Sequence, residues 1–265
     1  MPELPEVETA RRGAQRHLAG RRIVAVATVP DRLVFDGVSP RRFARALRGR
    51  QVVAVHRRGK HMWIELDRRP WPLIHFGMSG SFVLYRDGEA RPRFWRMELG
   101  VEGGRRLALA DPRRFGRVRL QGDPERESPL VSLGFDVLEE LPPSREIAVR
   151  LERRHTAIKA VLLDQSFFAG VGNWIADEVL YQAGLDPRRP ASSLTAAEVA
   201  RLRARLRAVV RRAVEVGADD DRFPRTWLFH HRWGRAKGAR TARGEAIEHL
   251  TVGGRTTAWV PSRQR

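Results

Sequence analysis

The chain opens Met1-Pro2-Glu3-Leu4-Pro5-Glu6-Val7-Glu8-Thr9. Removal of Met1 would turn Pro2 into a terminal secondary amine beside three carboxylates, Glu3, Glu6 and Glu8. Backbone amides cannot act as nucleophiles, whereas a terminal amine has a reference pKa of about 8 and is partly unprotonated near neutrality. Its attack on a sugar aldehyde, or on the masked form of one, would give an iminium, and a neighbouring carboxyl group can shuttle the protons this requires. A structural reading of the same residues is also open: Pro2 and Pro5 start a helix, and its dipole favours the three glutamates in the first turn. A second candidate lies at Gly170-Val171-Gly172-Asn173, directly before a helical stretch. Small residues there let a phosphate approach backbone N–H groups at a helix start, and Asn173 adds a side-chain donor. A plain helix-turn-helix corner with Asn173 as N-cap is the alternative.

Charge names the partner class. Fifty Lys plus Arg against 31 Asp plus Glu leave a formal charge of +19, which favours a polyanion and salt-sensitive association. No run of about 18 apolar residues exists, and the start lacks the order of a signal peptide, so a soluble intracellular protein without membrane contact is expected. With no Cys, neither disulfides nor thiolate metal sites can hold the fold, and a hydrophobic core must do so.

These residues must be positioned by elements of two kinds. Up to about residue 132, the apolar segments Ile23–Val29, Val52–Val55, Met62–Leu66, Phe82–Tyr85 and Val118–Leu120 alternate with Gly, Pro and Asp and read as strands. From Ser144 the period becomes helical. Thr195 and Glu198 form a capping-box pattern before the stripe Val199, Leu202, Leu206, Val209, Ala213 and Val216. A solvated face accounts for most of Arg201, Arg203, Arg205, Arg207, Arg211 and Arg212, and DNA contact for the remainder. Leu141-Pro142-Pro143-Ser144 is the linker candidate, with Ser144 able to cap the next helix.

Three separated motifs together carry a resemblance over nearly the whole chain: the N-terminal nonapeptide, Asp111-Pro112-Arg113-Arg114-Phe115-Gly116, and the segment Gln165–Glu178. The chain resembles the formamidopyrimidine-DNA glycosylases. The resemblance implies an α+β fold: an N-terminal β-sandwich with flanking helices, then a helical helix-two-turns-helix domain ending in a zincless β-hairpin finger. The expected divisions are 1–132 for the catalytic sandwich, 133–143 for the linker, 144–225 for the helix-two-turns-helix domain and 226–265 for the finger. The implied partner is double-stranded DNA containing oxidised bases or abasic sites, bound in the cleft between the domains by a monomer. A damaged nucleotide would be flipped out of the stack before reaction.

By the same resemblance Pro2 is the nucleophile, Glu3 the acid and base, and Glu6 its support. Lys60 matches the lysine that contacts the lesion phosphate and assists elimination, and Arg255 the finger arginine with a similar task. Composition adds to the reading of Lys60. The only lysines are Lys60, Lys159 and Lys237 among 50 cationic residues, and a compact ammonium can give up a proton where Arg cannot; codon drift is the other account. Met78, Arg113 and Phe115 match residues that fill the space left by the flipped base, Arg154 and Asn173 match phosphate contacts, and no role follows for Lys159. For Met78 and Phe115 core packing is the alternative, although Gly77, Gly80 and Gly116 beside them indicate loops.

The chain departs from the commonest bacterial relatives at its C-terminal part. Arg240, Arg243, Val260 and Arg263 stand where those proteins carry zinc-binding cysteines, so neither metal nor redox cofactor is expected, and His230 and His231 read as packing or hydrogen-bonding residues. Val252–Val260 still reads as a hairpin, held by apolar packing. The Arg222–Gly234 region resembles plant and fungal relatives, and the loop that caps 8-oxoguanine is shortened or replaced. The expected function is a bifunctional glycosylase and abasic-site lyase acting on formamidopyrimidines, hydantoins and abasic sites, and weakly on 8-oxoguanine. The expected location is the bacterial cytoplasm, or the nucleus in a eukaryote. A catalytically silent lesion-binding protein of the same fold is the alternative.

Overall fold

The computed structural model describes residues 1–234 and 238–265, so Lys237 lies outside the described residues. Its contacts divide into two units, Met1–Pro2 with Glu6–Ser132, and Glu3–Pro5 with Leu133–Arg265.

The first unit holds most of α1 (Leu4–Leu18) and eight strands with one short helix between them. In α1, Glu6 lies in the first turn and Arg16 and His17 in the last, matching the helix dipole, while Val7, Ala14 and Leu18 are buried on one stripe. Strand β1 (Ile23–Thr28) leads to α2 (Pro40–Leu47), which Ser39 caps by accepting a hydrogen bond from the Arg42 N–H. Then follow β2 (Val52–Arg58), β3 (His61–Leu66), β4 (Trp71–His75), β5 (Ser81–Arg86), β6 (Trp95–Val101), β7 (Arg105–Ala110) and β8 (Arg117–Gln121). They form two antiparallel four-stranded sheets, ordered β1-β6-β7-β5 and β2-β3-β4-β8. One core of Ile23, Val52, Ile64, Ile74, Met97, Leu99, Leu107 and Val118 serves both sheets, as in a sandwich.

Every segment read as a strand from its apolar run is one; β4, β6 and β7 are additional. Pro72 disguises β4, because a proline cannot donate to a ladder. It is tolerated in this interior strand because the β3 pairing begins only at Leu73, leaving Pro72 opposite Leu120 of β8 alone.

The second unit carries a two-stranded parallel pair, β9 (Phe135–Asp136) and β10 (Phe168–Ala169), with α3 (Ser144–Leu151) and α4 (Ile158–Leu163) between them in sequence. Pro143, not Ser144, occupies the N-cap of α3, and its carbonyl accepts from the Glu146 and Ile147 N–H groups; Ser144 is the first helical residue and does not cap. Helices α5 (Asn173–Ala183) and α6 (Ala196–Glu215) pack on each other, and the Thr195–Glu198 capping box forms as read. The whole apolar stripe of α6 is buried. The chain ends in a hairpin of β11 (Glu248–Val252) and β12 (Arg255–Trp259). Gly253 and Gly254, at φ +57° and +70°, supply the two left-handed residues that a tight hairpin turn demands.

Candidate active site

The second unit holds one group of the candidate residues, Glu3 and Asn173 among them. Leu4 donates its N–H to the Gly170 carbonyl at 3.1 Å, which brings Glu3 to the start of α5. The Glu3 side chain is 2% exposed and accepts the N–H groups of Gly172, Trp174 and Ile175 at 2.8, 2.8 and 3.2 Å. A helix leaves its first N–H groups unpaired, and its dipole favours negative charge there. The glycines permit the approach: a Cβ on Gly170 would strike Leu4, and one on Gly172 would strike the Glu3 carboxylate. This corrects the expectation that these N–H groups hold a phosphate, since a carboxylate from the chain itself takes them. Gly172, not Asn173, is the N-cap, so the corner alternative fails in that detail too.

Asn173 turns to the hairpin instead. Its Nδ2 donates to the Thr256 carbonyl at 2.9 Å, beside exposed Arg255, and its buried Oδ1 has no hydrogen-bond partner among the described residues. The Thr256 carbonyl also accepts from Lys159 Nζ at 3.2 Å. Lys159 is wholly buried and donates to Asp177 Oδ1 at 2.6 Å and Thr257 Oγ1 at 2.7 Å. The other Asp177 oxygen accepts from Arg232 Nη2 at 2.5 Å and from the Ala258 N–H at 3.1 Å. Burial lowers the Lys159 pKa, and Asp177 opposes that shift. The hairpin is therefore held by a buried Lys159–Asp177–Arg232 network as well as by the apolar cluster of Tyr181, Leu228, Ile247, Ala258 and Val260, which corrects the expectation of apolar packing alone. It also supplies the role that sequence left blank for Lys159.

The residues at the zinc-ligand positions of other relatives do not fit a metal. Val260 is a core residue, Arg240 donates to the Gly244 carbonyl, and Arg263 lies over the Tyr181 ring at 4.9 Å. In the region where the base-capping loop reads as shortened or replaced, Phe223, Trp227 and Phe229 gather on Trp174 at ring separations of 5.5, 6.4 and 5.3 Å. His230 bonds the Phe223 carbonyl at 3.3 Å, the hydrogen-bonding role among the two expected. Arg154 pairs with Asp164 at 3.5 Å and lies 5.5 Å over Phe167, in a recess lined also by Arg150 and Arg153.

The first unit holds Pro2, Glu6 and Lys60, each partly buried. Lys60 lies in the turn between β2 and β3. Arg57 spans that turn, donating to the Gly59 carbonyl at 3.0 Å and to Glu8 at 3.1 Å, and Glu8 also takes Arg11 and Arg12. Burial would raise the Glu8 carboxyl, but these three guanidinium groups bring it down to about 2. Sequence reading counted Glu8 among the acids without seeing that it anchors the Lys60 turn. His61 and His75 were also missed; their rings lie 4.6 Å apart beside Arg117 and Arg119. Burial, and then neighbouring cationic groups, push them down to about 3 and about 4. His75 Nδ1 accepts from the Gly77 N–H at 3.1 Å and so orients the loop that carries Met78.

Met78, Arg113 and Phe115 come together in the same unit through fully buried Asp111. Its carboxylate accepts Ser79 Oγ at 2.6 Å and the N–H groups of Arg113 and Gly116 at 3.2 and 2.7 Å, bracing both loops. Met78 is 38% and Phe115 42% exposed, and the Arg113 guanidinium lies 4.8 Å over the Phe115 ring. Core packing is thereby excluded for both apolar residues. The Asp-Pro pair at 111–112 was the available signal for Asp111, because an Asp at that place in a turn accepts backbone N–H groups.

Comparison with known proteins places these features in context. Residues 1–118 match the family description "Formamidopyrimidine-DNA glycosylase N-terminal domain", and residues 133–224 match its "H2TH domain". The chain is 39% identical to a formamidopyrimidine-DNA glycosylase of Arabidopsis thaliana, over all of this chain and 71% of that protein. It is 36% identical to one from Laribacter hongkongensis, with both proteins covered completely. Among solved structures, a mutant of the Lactococcus lactis protein in complex with Fapy-dG containing DNA is similar at a TM-score of 0.87 and 25% identity, with both chains covered completely.

Proposed function

The chain belongs to the formamidopyrimidine-DNA glycosylase family, and we propose that it is a bifunctional DNA glycosylase and abasic-site lyase of base excision repair. Its partner is duplex DNA carrying an oxidised base or an abasic site, drawn in by the +19 charge. The target nucleotide leaves the stack, because its glycosidic carbon is unreachable inside it. The Pro2 nitrogen, freed by removal of Met1, attacks C1′; the glycosidic bond breaks and the base departs with a proton. Ring opening then yields an iminium between Pro2 and C1′. Loss of a C2′ proton expels the 3′ phosphate by β-elimination, and a further proton loss expels the 5′ phosphate by δ-elimination. Water finally releases Pro2.

The observation that carries this reading is the Glu3 carboxylate, buried on three N–H groups one residue from Pro2. A carboxyl group held there can give and take protons as the sugar ring opens and eliminates. Glu6 supports it. Lys60, Arg255 and Asn173 bind the phosphates flanking the lesion, Arg154 binds a phosphate further along, and Met78, Arg113 and Phe115 fill the vacated stack. The hairpin is a zincless finger, with Lys159, Asp177 and Arg232 doing structural work that a metal does elsewhere. Formamidopyrimidines, hydantoins and abasic sites are the expected substrates. Weak action on 8-oxoguanine follows from the inward-folded Phe223–Phe229 segment.

The test is a duplex with a single formamidopyrimidine, followed for base release and strand scission by the wild type and by Glu3→Gln. Both products form with the wild type alone if the reading holds. Tight binding without either product would instead identify a silent lesion-binding protein.

A further inference from the structure

We propose that Phe94, with Arg93 beside it, is a fourth stacking residue of the lesion-binding surface. This rests on the reading of the chain as a lesion-binding glycosylase.

Phe94 is 50% exposed and adopts φ +58°, in the left-handed region that a bulky side chain rarely enters. Only Arg114 and Ala218 share this among non-glycine described residues. Left-handed backbone at such a residue is strained and persists where surrounding structure imposes it. The imposing contact is visible: the Asp111 N–H donates to the Phe94 carbonyl at 2.9 Å, while Arg96 Nε holds the Asp111 carbonyl at 3.0 Å. Asp111 is the residue whose carboxylate braces the loops of Met78, Arg113 and Phe115.

Sheet register puts all of these at one end of one sheet. Trp95 opens β6 opposite Ala110, the last residue of β7, and Ser81 opens β5 opposite the same Ala110. Phe94 and the Met78–Gly80 turn therefore flank the strand end that leads into Asp111 and Arg113. Arg93 lies 5.1 Å over the Phe94 ring and leaves much of the ring in solvent. An aromatic ring kept outside at a conformational cost, with an arginine over it and another aromatic–arginine pair sharing its anchor, suits an unstacked base or an opened base step. A charge of +19 supplies the attraction to a polyanion.

The strain makes a discriminating test possible. Asn tolerates left-handed backbone, so Phe94→Asn removes the ring while relieving the strain. Melting temperature is measured for the wild type, Phe94→Asn and Phe94→Trp. Affinity is measured by fluorescence anisotropy with a duplex bearing one tetrahydrofuran abasic analogue and with its undamaged counterpart. The expected result is that Phe94→Asn melts no lower than the wild type yet binds the abasic duplex roughly tenfold more weakly, with a smaller damaged-to-undamaged affinity ratio. Phe94→Trp retains the wild-type ratio. Equal affinity of Phe94→Asn and wild type for the abasic duplex would overturn the proposal. So would a concentration-dependent dimer that Phe94→Asn abolishes with DNA affinity intact, because the ring would then serve a second copy of the chain. Failure of the wild type itself to prefer the abasic duplex would contradict the glycosylase reading instead, so the two failures are distinguishable.

Discussion

Glu3 owes its place to two hydrogen atoms. Gly172 is extended and would accept a side chain on its own backbone, but a Cβ there would occupy the space of the Glu3 carboxylate. Gly172→Ala should therefore evict the carboxylate while α5 persists, and lower abasic-site cleavage by about 10²-fold or more, as expected for loss of a general acid and base. Cleavage kinetics read beside circular dichroism check this; wild-type turnover in a folded Gly172→Ala protein would contradict the role of Glu3. Glu3→Gln keeps the shape but turns an NH2 group toward backbone donors. It should reduce turnover by about 10²–10⁴-fold and also lower the melting temperature, because at least one buried N–H loses its acceptor. At the residue scale one inference from the sequence is reversed, since the Gly172, Trp174 and Ile175 N–H groups hold Glu3 rather than a phosphate. The nonapeptide and the Gly-rich corner each stand out in the sequence, but their partnership does not. Nothing in the spacing of Glu3 and Gly172, which lie far apart in the chain, tells that the first fills the donors offered by the second.

At the scale of elements, the hairpin that presents Arg255 depends on a buried charge network. Removing one member of a buried pair leaves the other uncompensated, which costs about 3–5 kcal/mol. Lys159→Met should accordingly lower the melting temperature by roughly 10 °C for a chain of this size, and loosen β12 first. Hydrogen exchange at Thr257 and Ala258 should accelerate before that of the α6 core, and uniform acceleration would argue against a specific hairpin anchor. This network was unreadable from sequence, because Lys159, Asp177 and Arg232 show no common spacing and converge only through packing of α4, α5 and the hairpin. Regular elements with strong periodicity were legible, among them the α6 stripe with its capping box and five strands with compact apolar runs. The strands that escaped carry other marks. Pro72 interrupts β4, Arg96 and Glu98 break up the apolar run of β6, and β7 opens on Arg105–Arg106 before only four apolar residues. One of those charges is internal, since Glu98 is buried and accepts from Tyr85, Arg91 and Arg106.

Across the whole molecule, two buried carboxyl groups pull the pH dependence of stability in opposite directions. Glu178 is fully buried, accepts from Gln182 and the Phe229 N–H, and is pushed up by burial to about 7. Between its ordinary value of 4.5 and about 7, the folded chain holds a proton that the unfolded chain has lost. Stability from this group therefore falls as pH rises through that window, by on the order of 3 kcal/mol. Glu8 acts oppositely: held down to about 2, it adds stability above pH 4.5 that is lost as pH falls toward 2. Glu178→Gln should flatten the first slope and melt higher than the wild type at pH 8, as thermal denaturation at several pH values would show. An unchanged slope would mean that Glu178 is not the titrating group.

All of this scaffolding serves one chemical claim, that Pro2 becomes covalently joined to the sugar. Protein from which Met1 has been removed is incubated with a duplex bearing one abasic site, borohydride is added, and any adduct is mapped by peptide mass. The account predicts a reduced secondary-to-tertiary amine link at Pro2, formed in step with strand cleavage. Cleavage without an adduct, or an adduct on Lys60 in place of Pro2, would contradict it.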